Sequence, residues 1–167
     1  MQFDPTYNYG DSDLTNKENL VCWKFAELIK TLITLTCIAE RQIEIMGAGV
    51  VTGEMAEDFD TYFTLSYKQF KEYHLLSEIA IKKLNQLDNF LDQRCGDKAS
   101  DFWDDFKLST NKDWEIVRVQ ASEILTLLNM NNLDIEFERE EKYETTTEGQ
   151  KLLIQSTKTR LVTKNGS

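Results

Sequence analysis

Residues that break helices are scarce in this chain of 167 residues, which contains one proline and seven glycines. Long helices contain few such residues, whereas an all-β sandwich needs turns at short and regular intervals along the sequence. The scarcity of turn residues therefore excludes a β-sandwich and favours a fold with long helices.

Cysteine is also rare, and its spacing fits no known framework. The three cysteines, Cys22, Cys37 and Cys95, are an odd number, form no CxxC pair and have no histidine at ligand spacing. This pattern argues against a disulfide framework and against a zinc site. We therefore expect reduced thiols in a cytoplasmic protein.

The common catalytic motifs are missing as well. The chain has one histidine, His74, and no phosphate-binding loop, GxGxxG, GxSxG or HExxH motif. A dimetal site in a helical bundle needs two Glu-x-x-His pairs, which a single histidine does not supply. We expect no enzymatic activity, no metal and no cofactor; an enzyme with an unlisted site near His74 is one alternative.

Two further absences limit the class of partner. The formal charge is −10 and no segment has an excess of Lys and Arg, so direct binding to nucleic acid is not expected. The most apolar stretch, residues 28–46, contains four charged residues that exclude a membrane span, namely Lys30, Glu40, Arg41 and Glu44.

The chain ends differ in character from the rest. The first 13 residues contain neither a basic region nor an apolar run, so no signal peptide is expected. Residues 1–14 show no periodicity and predict a flexible N-terminal arm, whose aromatic side chains either dock on the main body or form a short linear motif. We expect a single domain over residues 15–163 and a tail over residues 164–167.

Two long helices are predicted. Thr15 and Glu18 form a capping box, and apolar residues then recur every three or four positions until Gly47. A second run continues this spacing from Phe59 to Cys95, preceded by Thr52 as a candidate cap. A continuous helix of this length would be about 60 Å long, so it either extends beyond the body or kinks. If it breaks, we expect the break at the polar step of His74 and Ser77; His74 itself is interpreted as a core residue.

Two shorter helices and a hairpin complete the predicted fold. The helices run from Ser100 to Leu108 and from Thr110 to about Asn129. Strict alternation of apolar and polar residues then predicts a hairpin over about residues 133–162, with a helix over residues 151–161 as the alternative for its second half. The expected class is α+β, mostly α: a bundle of two long and two shorter helices with a C-terminal β-hairpin.

Acidic residues form two clusters at predicted helix starts. Acids there are stabilised by the helix dipole and need no partner, but carboxylates around an exposed aromatic are also typical of a binding surface. Trp103 is the candidate aromatic anchor. The first acidic cluster consists of Glu54, Glu57, Asp58 and Asp60, and the second acidic cluster of Asp101, Asp104 and Asp105.

These features favour a non-catalytic acidic binding protein. We expect it to dock on a basic protein partner, such as a toxin or an enzyme, and to inhibit or hold it as immunity proteins and antitoxins do. The alternative from a different class is a structural module that homodimerises through the long helix over the Phe59–Cys95 row.

Overall fold

A computed structural model of the chain describes residues 2–96 and 99–164. Within these residues, six α-helices precede a two-stranded antiparallel hairpin, which confirms the predicted α+β, mostly α class. The helices are α1 Lys17–Thr36, α2 Ala39–Met46, α3 Val51–Phe59, α4 Tyr67–Glu72, α5 Glu78–Asp92 and α6 Lys112–Leu127. The strands are β1 Leu133–Thr146 and β2 Gly149–Thr163.

Helix α1 lies at the centre of the bundle, where α6, α3 and the hairpin pack around it. Its apolar residues are buried on several sides, as their broad distribution in the sequence predicts. The helix begins one residue later than expected because the side chain of Asn16 accepts a hydrogen bond from the amide of Asn19 at 3.1 Å. The Thr15 hydroxyl instead donates to Asp13.

The first predicted long helix is divided at Cys37, whose backbone is extended, and α2 begins two residues later. Near this point the hydroxyls of Thr34 and Thr36 donate to carbonyls of the preceding turn, which competes with continued helix. The guanidinium of Arg118 donates to the Cys37 carbonyl at 2.9 Å and satisfies it outside a helix. Helix α2 then ends at Gly47, which has a φ of 73°.

The second predicted long helix is also divided. A π-helical segment, Asp60–Thr64, follows α3, and a turn separates α4 from α5. This turn contains His74, with a φ of 59°, and Ser77, which caps α5. The expected break is therefore confirmed. The interpretation of His74 as a core residue is wrong, because its side chain is exposed in the turn.

The predicted short helix from Ser100 to Leu108 does not form. The segment consists of turns and one three-residue 3-10 helix, Asp105–Lys107. Phe102 is buried and stacks on Trp114 with ring centroids 4.4 Å apart, so core packing rather than helix periodicity fixes this segment. Helix α6 is capped by Asn111 rather than Thr110.

The hairpin is confirmed, and the alternative helix over residues 151–161 is wrong. Leu133 pairs with Thr163 at the base and Thr146 with Gly149 at the tip. The base is buried in the core through Leu133, Ile135 and Leu161.

Four side chains fasten the base of the hairpin to the helices. Arg139 donates to the Ile45 carbonyl at 2.8 Å, and Gln155 accepts from the amide of Ala48 at 3.0 Å. Arg41 and Lys30 donate to carbonyls of the two strands at 2.8 and 3.0 Å. Beyond Arg139 and Gln155, the outer half of the hairpin projects from the body.

The N-terminal segment packs on α1 through aromatic rings. Phe3 stacks on Tyr9 with centroids 5.6 Å apart and meets Phe25 edge-on at 4.9 Å. Tyr9 is buried, and its hydroxyl accepts from the amide of Asp4 at 2.9 Å. Of the predicted tail, Lys164 donates its amide to the Asn132 carbonyl at 2.8 Å, and residues 165–167 lie outside the described residues.

Candidate partner-binding surface

Asp105 of the second acidic cluster caps a helix from another part of the chain. Its two carboxylate oxygens accept from the amides of Val51 and Thr52 at 2.8 and 3.0 Å. The Thr52 hydroxyl donates to the Trp103 carbonyl at 2.9 Å, so Thr52 is not the N-cap that its position suggested. The free amides at the start of α3 are thus satisfied by a carboxylate 53 residues further along the chain.

The other predicted residues of this segment also have partners within the chain. The Trp103 indole donates to the Arg94 carbonyl at 2.6 Å, and its ring packs edge-on against Phe102. Asp104 accepts from the amide of Phe106 at 3.0 Å, and Asp101 pairs with a lysine, Lys107, at 2.7 Å. These residues hold the turn in place, and their use in partner binding stays a prediction.

Phe106 is the aromatic side chain that the structure leaves exposed in this segment. It is 97 % exposed, whereas Trp103 is partly buried. The two aromatics are three residues apart, which in the predicted helix would place them on one face. The exposed aromatic side chain of this segment is therefore Phe106 rather than Trp103, and a binding role for either residue stays a prediction.

The first acidic cluster has no such internal partners. Glu57 and Asp60 are exposed, and Glu54 and Asp58 are half-buried. Within residues 2–96 and 99–164, none of these four carboxylates forms an ion pair with Lys or Arg. The cluster therefore retains its negative charge at the surface.

Asp58 shows the electrostatic consequence of this arrangement. Burial, followed by the like charges of Glu27, Glu54 and Glu57, raises the pKa of Asp58 from 3.8 to about 6. Lys30 is engaged elsewhere, because it pairs with Glu27 at 2.8 Å. Asp58 thus lies among like charges and has no ion-pair partner in the part of the chain that the structure describes.

Helix α5 extends the first acidic cluster. Burial raises the pKa of Asp88, and Asp92 and Asp60 act in the same direction, although a hydrogen bond from Thr64 at 3.3 Å opposes them. Asp60, which directly follows α3, therefore brings the negative charge of the first acidic cluster next to α5. Asp88 and Asp92 were not predicted as site residues, because no local pattern in the sequence brings α5 beside the π-helical segment that contains Asp60. We call the first acidic cluster together with Asp88 and Asp92 the acidic face.

The Phe59–Cys95 row is used inside the chain. Six of its apolar side chains are buried in the core of the same molecule, namely Phe59, Phe63, Phe70, Ile81, Leu84 and Leu91. A homodimer through this row would require the core to open.

Comparison with known proteins adds no relative, since no family model, no curated protein and no solved structure matches the chain. Among the described residues, no three His, Cys, Asp or Glu side chains are grouped so that they could hold a metal ion. In the same residues, every helix is too short or too polar to cross a membrane. What the surface binds is therefore inferred from its own residues.

Proposed function

We propose that this protein is a non-catalytic acidic binding protein that docks on a basic protein partner and inhibits or holds it, as immunity proteins and antitoxins do. The observation that supports the proposal is the acidic face, where the first acidic cluster continues into Asp88 and Asp92 without an ion pair among the described residues. The cytoplasmic location expected from the sequence belongs to the same proposal.

The physical reason is the mutual repulsion of these carboxylates. Burial, and after it the like charges on α1 and α3, raise the pKa of Asp58, which means that its ionised form is disfavoured in the free protein. A partner that presents Lys and Arg relieves this repulsion on docking. Complementary charge also accelerates encounter and selects against acidic partners.

Phe106 supplies an apolar contact at one end of this surface. The bonds from Asp105 to the amides of Val51 and Thr52 place the Phe106 turn at the start of α3, one turn before Glu54. Val50 is also exposed at this end. An exposed aromatic beside charged residues is the composition found at the energetic centre of many interfaces.

A charge-reversal experiment tests the proposal. The immobilised protein is compared with the variant Glu57→Lys/Asp60→Lys in capture from a lysate of the source cells, followed by mass spectrometry. The control variant is Glu138→Lys/Glu140→Lys, which changes the net charge equally at two exposed sites on the hairpin. We expect wild type and control to retain the same basic protein and the acidic-face variant to lose it.

Salt and the identity of the captured protein provide the decisive readouts. Retention through exposed charges weakens when added salt shortens the screening length. Equal retention by both double variants, or retention of a protein without basic character, would show that the acidic face is not the docking surface.

A further inference from the structure

A cavity lies beneath the hairpin, between the two strands and helices α1, α2 and α3. Its volume is about 180 Å³, several times the roughly 30 Å³ that one molecule occupies in liquid water. The polar part of its lining includes Glu27, Lys30 and Asp58, and the apolar part includes Met46, Met55 and Tyr62. The cavity thus has room for a short chain with one polar end.

Asp58 is the charged group of this cavity that has no bonding partner among the described residues. Its half-buried carboxylate accepts no hydrogen bond and forms no ion pair within residues 2–96 and 99–164. The Lys30 ammonium group binds elsewhere, because it donates to Glu27 at 2.8 Å and to the Thr159 carbonyl at 3.0 Å. With two carboxylates and one ammonium group, the lining lacks one positive charge.

The walls of the cavity suit an aliphatic chain. Met46 comes from the end of α2 and Met55 from α3, and both thioethers adapt readily to a flexible guest. Tyr62 presents an aromatic ring, which Trp23 supports edge-on with centroids 6.0 Å apart. An ammonium group beside Asp58 would have its methylene stem against these side chains.

We propose that this cavity binds an alkylammonium group, with the ammonium on the Asp58 carboxylate and the aliphatic stem between Met46 and Met55. The group belongs either to a small free amine or to a lysine side chain of a docked protein. The site does not depend on the proposed function, because the cavity is formed by this chain alone.

The charged groups around Asp58 predict how binding depends on pH. Glu27 and Lys30 face it from α1, Glu54 and Glu57 from α3 and Tyr62 from the π-helical segment, and the strands contribute only uncharged lining residues. Protonation of Asp58 removes the counter-ion of the bound ammonium. Affinity is therefore expected to fall as the pH is lowered through about 6, where the pKa of Asp58 lies.

The test uses the full-length protein with ¹³C-labelled methionine methyl groups, titrated with n-butylamine hydrochloride near neutral pH. We expect saturable shifts of the Met46 and Met55 resonances and no comparable shift of Met130, which packs on the core elsewhere. n-Butanol, which has the same stem without the charge, should give no saturable shift at the same concentrations.

Two variants distinguish binding at the Asp58 carboxylate from a general effect of negative surface charge. Asp58→Asn should weaken butylamine binding at least about tenfold, which corresponds to about 1.4 kcal/mol. Glu123→Gln removes the same charge from an exposed residue of α6 that does not line the cavity and should leave the affinity within about twofold. Circular dichroism checks that Asp58→Asn is folded, as expected for a change that removes a like charge.

A second titration identifies the source of the ammonium group. Nα-acetyl-lysine amide, compared with its ε-acetylated form, should shift Met46 and Met55 with equal or higher affinity if the natural ligand is a lysine side chain. Saturation by butylamine alone indicates a free amine. Equal shifts at Met130, no saturation with either probe, or unchanged binding by Asp58→Asn would overturn the site.

Discussion

Each carboxylate of the second acidic cluster has a bonding partner within the chain, whereas those of the first acidic cluster have none among the described residues. Asp105 caps α3, Asp104 caps the 3-10 helix that follows it, and Asp101 pairs with Lys107. Both clusters are short acidic segments with aromatic neighbours, four acids within residues 54–60 and three within residues 101–105. Internal hydrogen bonding, rather than the number of acids, is what separates them.

The start of α3 explains why the clusters differ. The helix begins at Val51 and continues directly into the π-helical segment Asp60–Thr64, so Asp58 and Asp60 lie inside a continuous helical run, away from the free amides at its start. The amides at its start, which would favour an acid, are occupied by Asp105. The dipole interpretation therefore applies to Asp105 and not to Asp58 or Asp60.

The largest expected effect is the loss of the cap that Asp105 provides. Asp105→Ala leaves the amides of Val51 and Thr52 without their carboxylate partner, and we expect unfolding in urea to show a loss of about 2 kcal/mol. Asp105→Asn keeps one acceptor oxygen and should lose less. A loss in the alanine variant no larger than that of Asp101→Ala would contradict the distinction between the clusters.

At Asp58 we expect the opposite effect on stability, because removing this carboxylate should raise the free energy of unfolding. Its pKa is raised in the folded protein from an ordinary 3.8 to about 6, so the folded state binds more protons than the unfolded state between these values. Ionisation of Asp58 therefore lowers stability, by an amount that is absent below about pH 4 and complete above about pH 6.

Asp58→Asn should accordingly stabilise the protein at neutral pH by about 1 kcal/mol, less than the full shift implies because solvent screens the partly exposed carboxyl. Urea unfolding across a pH series measures the difference, which should vanish in acid. A destabilised variant, or a gain that does not change with pH, would mean that Asp58 has a partner in the folded protein.

The sequence was sufficient to predict the class of each large region, because hydrophobic periodicity reflects which face of an element is buried. It predicted the central helix, the break near His74 and the hairpin. The break at Cys37 was missed, because the Arg118 guanidinium that satisfies its carbonyl lies 81 residues away in the chain. No pattern in the sequence around Cys37 indicates its hydrogen bond with Arg118.

The candidate site could also be predicted only in part. The first acidic cluster is visible as four acids in seven residues. Its continuation to Asp88 depends on the packing of α5 beside the segment that contains Asp60, which only the fold shows. That Phe106 rather than Trp103 is the exposed aromatic also depends on tertiary packing. Phe102 is buried against Trp114, and this contact orients the side chains that follow it.

Phe106 tests whether the exposed aromatic serves binding rather than folding. Because its side chain is 97 % exposed, Phe106→Ala should change the free energy of unfolding by no more than about 0.5 kcal/mol. Retention of the basic partner should fall in the same variant and be preserved in Phe106→Tyr, which keeps the ring. A variant that binds normally would confine the docking surface to the acidic face.

The smallest expected effect on stability is at Asp101. Its ion pair with Lys107 is visible in the structure but is expected to contribute little to the free energy of unfolding. The Asp101 and Lys107 side chains are 73 % and 47 % exposed, so their 2.7 Å ion pair is screened by water and opposed by the entropy of two mobile side chains. Asp101→Asn and Lys107→Met, alone and together, should show no coupling in urea unfolding beyond experimental error. Coupling of the size expected for the Asp105 cap would instead show that the turn is held as one network, and the second acidic cluster would then be structural throughout.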